Sequence, residues 1–242
     1  MTAPIILFIQ NYATDPPHLV AKWLEELGFT IENIEAYDGE AVPAELPNNV
    51  KGLIALGGAM GALDDHVAPW LPAERALLKK SVDANLPTIG ICLGAQLLGA
   101  ALGGTVSRLE NNEIGIYEIN QVAEDSIMSV GVHAPSTQWH EDYVSVLPEG
   151  STLIANSENC PTQIYRVKEL TYGLQCHPEA DASIVALWEG KPDNAFKNFT
   201  KDPSVPTIAE TVKAREDEIA AFWKPLITNW GKAVLDRGST GL

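Results

Sequence analysis

At 242 residues and 45% hydrophobic, the chain is long enough to bury one large α/β core. Its formal net charge of −16, from 32 acidic against 16 basic residues, argues against nucleic acid or an anionic membrane as a partner, because phosphate groups are bound by lysine and arginine. Three cysteines, Cys92, Cys160 and Cys176, form no metal-type spacing and no even disulfide set, which suits a reducing compartment and makes the cytoplasm the expected location.

The N-terminus lacks a basic region, and its apolar run is too short for a signal segment or a membrane span, so Ile5 to Ile9 reads as a first buried strand. Pro16 and Pro17 open a helix carrying Leu19, Val20, Trp23, Leu24 and Leu27, which Gly28 stops. Strands follow at Thr30 to Ala36 and Val50 to Leu56, then a helix over Pro72 to Ala84, a central strand over Leu86 to Ile91, and a helix over Leu93 to Leu102 ending at Gly103-Gly104. This alternation is the pattern of βαβ units and a mostly parallel sheet. After Gly104 the runs shorten (Thr105 to Arg108, Gly115 to Val122, Tyr143 to Val146, Thr152 to Asn156, Gln163 to Arg166, Thr171 to Leu174), which predicts hairpins and sheet extensions. The segment from Ala180 is helical. Beyond a connection at Pro203 to Pro206, a charged amphipathic helix is expected around Glu210 to Trp230, with Ala220, Phe222, Trp223, Leu226 and Ile227 turned inward. The organisation expected is a main domain over 1–190 and a helical extension over 191–242 packed on it.

The chemistry concentrates in two blocks. In Gly90-Ile91-Cys92-Leu93-Gly94-Ala95-Gln96 a short apolar strand breaks at a cysteine with glycines two residues to either side, then resumes with helical spacing. That is the pattern of a nucleophile elbow, with the thiol at a helix N-terminus where the macrodipole favours the thiolate; alone it also suits a buried structural cysteine. In Gly173-Leu174-Gln175-Cys176-His177-Pro178-Glu179, Pro178 keeps the backbone out of a helix, so His177 and Glu179 can point to one side. Cys92, His177 and Glu179 then supply a nucleophile, a base and a group orienting that base. A third block, Ala55-Leu56-Gly57-Gly58-Ala59-Met60-Gly61, follows a buried strand; its glycines could serve a turn or lend backbone N–H groups to an oxyanion, and the absence of a following Gly-Lys-Ser/Thr argues against a phosphate cradle.

These three blocks, in this order, make the chain resemble the class I (triad) glutamine amidotransferases, in particular stand-alone members similar to the amidotransferase domain of GMP synthase. The resemblance spans roughly residues 5 to 190. It implies a three-layer, flavodoxin-like α/β sheet with a nucleophile elbow, catalytic Cys92, His177 and Glu179, and an oxyanion hole near Gly58 and Leu93. It places Gly57, Gln96, His140, Glu141 and Asp142 at the substrate, although Gln96 could instead cap a local backbone group. The segment Gln138-Trp139-His140-Glu141-Asp142-Tyr143-Val144 is similar to a Ser-His-Gly-Asp-x-Val element that grips the α-amino and carboxyl groups of glutamine in this family, but Trp139 and Glu141 replace its serine and glycine. His18, His66 and His133 have no ligand spacing and read as surface or packing residues.

The implied activity is cleavage of a γ-glutamyl amide through a Cys92 thioester, releasing ammonia from glutamine, with no metal or organic cofactor. The chain is too short to hold a synthetase as well, so any ammonia acceptor would be a separate partner. Two alternatives stand beside this reading. One is a γ-glutamyl peptide or amide hydrolase acting on a bulkier leaving amine, and the other is a non-catalytic regulatory subunit that keeps the fold.

Overall fold

A computed structural model describes residues 3–190 and 204–239. The connection 191–203, which contains Pro203 and the start of the expected extension, lies outside the described residues. Nine strands are present among them: β1 (Ile5–Gln10), β2 (Thr30–Glu35), β3 (Val50–Ala55), β4 (Thr88–Ile91), β5 (Thr105–Gln121), β6 (Ala134–Val146), β7 (Thr152–Asn156), β8 (Ile164–Lys168) and β9 (Thr171–Leu174). The helices are α1 (His18–Glu25), α2 (Leu71–Asp83), α3 (Leu93–Ala101), α4 (Ala182–Glu189) and α5 (Ile208–Ser239).

The strands form one sheet in the order β2-β1-β3-β4-β9-β8-β7-β5-β6. Pairings from β2 through to β9 are parallel, and those from β9 out to β6 are antiparallel. The period of two along β1 builds three layers. Ile6 and Phe8 face Val20, Trp23 and Leu24 of α1 together with Trp223, Ile227 and Trp230 of α5. Ile5, Leu7 and Ile9 face the opposite way, toward Leu71, Leu77 and Leu78 of α2 and Leu97 and Leu98 of α3. With both faces covered, β4 and β9 are buried at every position and read as unbroken apolar runs, whereas the edge strand β2 alternates.

The structure departs from the sequence reading in three places. Thr105 to Arg108 and Gly115 to Val122 are not separate runs but parts of one long strand, β5, of 17 residues. Its middle, Glu110-Asn111-Asn112, is polar and exposed, and the ladder to β6 shifts register between Arg108 and Glu113; cross-strand pairing holds this stretch extended despite its composition. Tyr143 to Val146 is likewise only the end of β6. The helix expected from Ala180 begins at Ala182, because the Asp181 side chain caps it by accepting from the Ser183 and Ile184 amides.

Helix α5 is part of the core. Trp223 and Trp230 are both fully buried, and their indole N–H groups donate to the Pro135 and Leu170 carbonyls at 3.2 and 3.1 Å. Replacing Trp230 by alanine should therefore lower the unfolding free energy by about 3 to 5 kcal/mol, measured by urea denaturation. A change below about 1 kcal/mol would mean that α5 is not anchored as described.

Candidate active site

At the carboxyl end of β4 the chain turns into α3 through Cys92, whose φ of 50° and ψ of −107° are strained for a residue with a Cβ. The turn is held by its neighbours. The Cys92 amide donates to the Leu174 carbonyl of β9 at 2.8 Å, and the Gly94 amide to the Leu56 carbonyl beyond β3 at 3.1 Å. Both flanking glycines are sterically required: a Cβ on Gly90 would lie 2.4 Å from the Gly94 carbonyl oxygen, and one on Gly94 would lie 2.1 Å from that of Ala55. The thiol is thereby set at the N-terminus of α3, 6% exposed.

Beyond β9 the chain bends through Gln175 to Ala180. His177 Nδ1 lies 2.6 Å from Glu179 Oε1, and both residues are buried. Burial pulls the imidazole pKa down, but the negative charges of Glu179 and Cys92 outweigh it and hold the pKa well above its ordinary 6.5. Nε2, the nitrogen turned away from Glu179, is buried and has no hydrogen-bond partner of normal geometry. The segment is clamped from α1, where His18 Nε2 lies 2.8 Å from Asp181 Oδ2 and the Leu19 amide donates to the Glu179 carbonyl.

The loop after β3 closes the third side. A Cβ on Gly57 would meet Asp15 Oδ1 at 2.8 Å and His177 Cε1 at 3.2 Å, and one on Gly58 would meet Leu93 Cδ2 at 2.8 Å. Gly57 thus lies against the histidine, and Gly58 against the residue that follows the cysteine. The three blocks converge on a cavity of about 360 Å³, lined by Cys92, His177, Gly58 and Gln96 on one side and by His140, Glu141 and Asp142 on another. This is within the range of small-molecule sites. Gly57, Leu93 and Glu179 sit behind its wall. His66 and His133 are exposed and away from it.

The class I glutamine amidotransferase family model matches residues 11–185, almost three quarters of the chain and all three blocks. The chain belongs to the class I glutamine amidotransferase family. It is 36% identical over 185 residues to the glutamine amidotransferase-like protein YfeJ of Salmonella typhimurium, covering 74% of this chain and 77% of that protein. It is 31% identical over 176 residues to the glutamine-hydrolysing GMP synthase of Porphyromonas gingivalis, covering 72% of this chain but 33% of that protein, so it spans about a third of that relative's length. The fold superposes on the crystal structure of a glutamine amidotransferase from Methylobacillus flagellatus with a TM-score of 0.83 and 28% identity, covering 96% and 95% of the two chains.

Several side chains that sequence reasoning missed complete the site of this amidotransferase-family chain. Gln175 Nε2 stands 3.6 Å from Cys92 Sγ, a donor aimed at the sulfur. Arg108 reaches across from β5 to Glu141 at 2.5 Å and Asp142 at 3.4 Å. Trp188 of α4 packs its ring 4.7 Å from His177 and 5.5 Å from Trp139, so two indoles flank the cavity. No helix among the described residues is long and apolar enough to cross a membrane.

Asn11 and Glu74 brace the loop from behind. Asn11 donates to the Leu56 carbonyl at 3.2 Å and to Glu74 Oε1 at 3.1 Å, and accepts from the Trp70 indole at 2.8 Å. Burial pushes the Glu74 carboxyl up to about 8, with the Asn11 hydrogen bond and the Arg75 charge opposing. The protonated form is thus the one that the fold accepts. Because the folded-state pKa is raised, this contribution to stability is complete below the unfolded value of 4.5 and is lost as pH rises toward about 8. Relative to Glu74→Gln, which cannot ionise, the wild type should lose up to about 4 kcal/mol of unfolding free energy between pH 4.5 and 8. Urea titrations of both proteins across that range check it, and a constant difference would place the Glu74 pKa near normal.

Proposed function

We propose that the chain is a cysteine-dependent hydrolase of γ-glutamyl amides, with glutamine as the substrate and ammonia as the product. The observation that carries this reading is the buried His177–Glu179 pair, with a bare Nε2, at the same cavity as a cysteine held on a strained elbow. Family membership supports it, as do relatives described as glutamine amidotransferase-like or glutamine-hydrolysing.

In this mechanism the raised pKa of His177 favours an imidazolium beside a Cys92 thiolate, which the α3 N-terminus and Gln175 also stabilise. Sγ attacks the γ-carbonyl carbon, and the C=O electron pair moves onto oxygen, where the backbone N–H groups of Gly58 and Leu93 receive it. As the oxyanion collapses the C–N bond breaks, and His177 delivers its Nε2 proton to the departing nitrogen. Ammonia leaves a γ-glutamyl thioester on Cys92. Water then attacks the thioester carbon while His177 takes one of its protons, and the second tetrahedral species expels the Cys92 thiolate and glutamate. Glu179 keeps the ring oriented and offsets its charge. Gln96, Glu141 and Asp142, with Gly57 shaping the loop and the His140 ring supporting the Asp142 carbonyl from beneath, hold the glutamyl end. The ammonia acceptor in this reading is a synthetase, as the glutamine-hydrolysing GMP synthase relatives suggest.

A second reading is favoured by one feature, the Trp139 and Trp188 pair flanking the cavity. Indoles there offer a surface to a bulkier leaving amine than ammonia, which makes a γ-glutamyl peptide or amide the alternative substrate.

The test is ammonia or amine release from glutamine and from a panel of γ-glutamyl peptides and amides, with wild type, Cys92→Ala and Glu179→Gln. Cys92→Ala should lower kcat by at least about 10⁴-fold and Glu179→Gln by about 10²- to 10⁴-fold, with unchanged circular dichroism. Turnover of glutamine selects the first reading, and turnover of only the larger amides selects the second. A wild type inactive on the whole panel, or an active Cys92→Ala, refutes both.

A further inference from the structure

Beneath His140 of the cavity lining lies a set of buried polar side chains, Glu113, Ser157 and Gln163, that the proposed reaction does not use. Glu113 of β5 is wholly buried, and three polar atoms meet its carboxyl group: Ser157 Oγ donates to Oε1 at 2.6 Å, Gln163 Nε2 donates to Oε2 at 2.5 Å, and His140 Nε2 lies 3.1 Å from Oε2. The Gln163 amide is oriented by Gln138, whose Nε2 donates to Gln163 Oε1 at 2.9 Å, so it is the NH₂ group that meets Glu113. On its other side His140 Nδ1 lies 3.0 Å from the Asp142 backbone carbonyl, which can only accept.

A histidine between a carboxylate and a carbonyl needs a hydrogen on each nitrogen, unless the carboxyl group keeps the shared proton. In either case Nδ1 carries a hydrogen, because the Asp142 carbonyl can only accept. Cys160 is the other titratable group in this cluster, its sulfur lying within 4.8 Å of the Glu113 and His140 donor atoms. Burial pushes its thiol up to about 12, and it donates to the Thr162 carbonyl at 3.3 Å, so it stays neutral and offers no competing charge. Glu141 and Asp142, the carboxylates flanking His140 on its own strand, are turned to Arg108.

The Asp142 carbonyl has a second lone pair, which accepts from Gln96 Nε2 at 3.0 Å. The remaining hydrogen of that amide points to Gln175 Oε1 at 3.4 Å, and Gln175 Nε2 in turn to Cys92 Sγ at 3.6 Å. One hydrogen-bonded path thus runs from a buried carboxylate to the cysteine, and every donor on it faces an acceptor.

We propose that Glu113 is a positioning residue: its carboxyl group holds the His140 ring at Nε2, so that Nδ1–H fixes the Asp142 carbonyl and, through it, Gln96 and Gln175 relative to Cys92. This rests on the reading of Cys92 as the nucleophile and of Gln96 and Asp142 as substrate contacts. A buried carboxyl–imidazole pair is weak evidence for stability, since its desolvation opposes its attraction, so the role of this one lies in the geometry that it imposes.

The first measurement needs no variant of Glu113 and no substrate. In ¹⁵N-labelled full-length protein the His140 ring should carry hydrogen on Nδ1, the nitrogen that faces the Asp142 carbonyl; its signals are assigned by their loss in His140→Gln. A His140 ring with a bare Nδ1 overturns the proposal. The second measurement uses the substrate found for the wild type. Glu113→Gln keeps the shape and removes the charge, and it should raise KM about tenfold or more while changing kcat by less than about threefold. A folded Glu113→Gln with wild-type KM also overturns it. If Glu113→Gln does not fold, the ring protonation decides alone. A wild type that turns over no γ-glutamyl compound refutes the proposed function and leaves the ring measurement to judge the Glu113–His140 pair.

Discussion

The site depends on one backbone conformation, the positive φ of Cys92. Such a conformation costs about 1 to 3 kcal/mol and persists only where its surroundings over-determine it. Here they do so through two strands at once, since the Cys92 amide is bonded to the end of β9 and the Gly94 amide to the residue after β3. Those two chain segments continue directly into the bend that carries His177 and Glu179 and into the Gly57-Gly58 loop. The contacts that hold the cysteine in its strained turn are therefore the same contacts that bring His177 and the Gly57-Gly58 loop to it. The convergence lies at the carboxyl ends of neighbouring parallel strands, where open α/β sheets leave a crevice.

Two buried histidine–carboxylate pairs serve this crevice in opposite ways. His177 is paired with Glu179 at Nδ1, and its Nε2 has no hydrogen-bond partner of normal geometry. His140 is engaged at both nitrogens, by the Asp142 carbonyl at Nδ1 and by Glu113 at Nε2. The same side chain is left open at one nitrogen in one place and held at both in the other by the groups around it. In a chain with a net charge of −16, both pairs also show how further carboxylates are buried without leaving them unpaired.

The sequence discloses those parts of the molecule that local contacts determine. The elbow is legible because Gly90, Cys92 and Gly94 lie within five residues, and the His177–Glu179 pair because Pro178 sits between its members. The apolar strands β1, β3, β4 and β9 are legible because burial on both faces makes them continuous hydrophobic runs. The middle of β5 was not, since Glu110 to Asn112 are exposed and polar and stay extended only because β6 pairs with the flanking residues. Glu113, Gln175, Asn11 and Glu74 were hidden for a related reason. Their partners lie tens of residues away, and nothing in a neighbouring residue reveals that a glutamine will meet a thiol or that an asparagine will meet a glutamate.

Trp139 and Trp188, the indoles at the cavity, pack in one cluster with Ile208, Ala209 and Val212 at the start of α5. The family match ends at residue 185, ahead of Trp188 and of that helix, while the elbow and the His177–Glu179 pair lie within it. The wall that a leaving group would touch in the proposed reaction is thus buttressed by a stretch of chain outside the matched residues. A change at the start of α5 can therefore alter the contour of the entrance through the two indoles while leaving Cys92, His177 and Glu179 untouched.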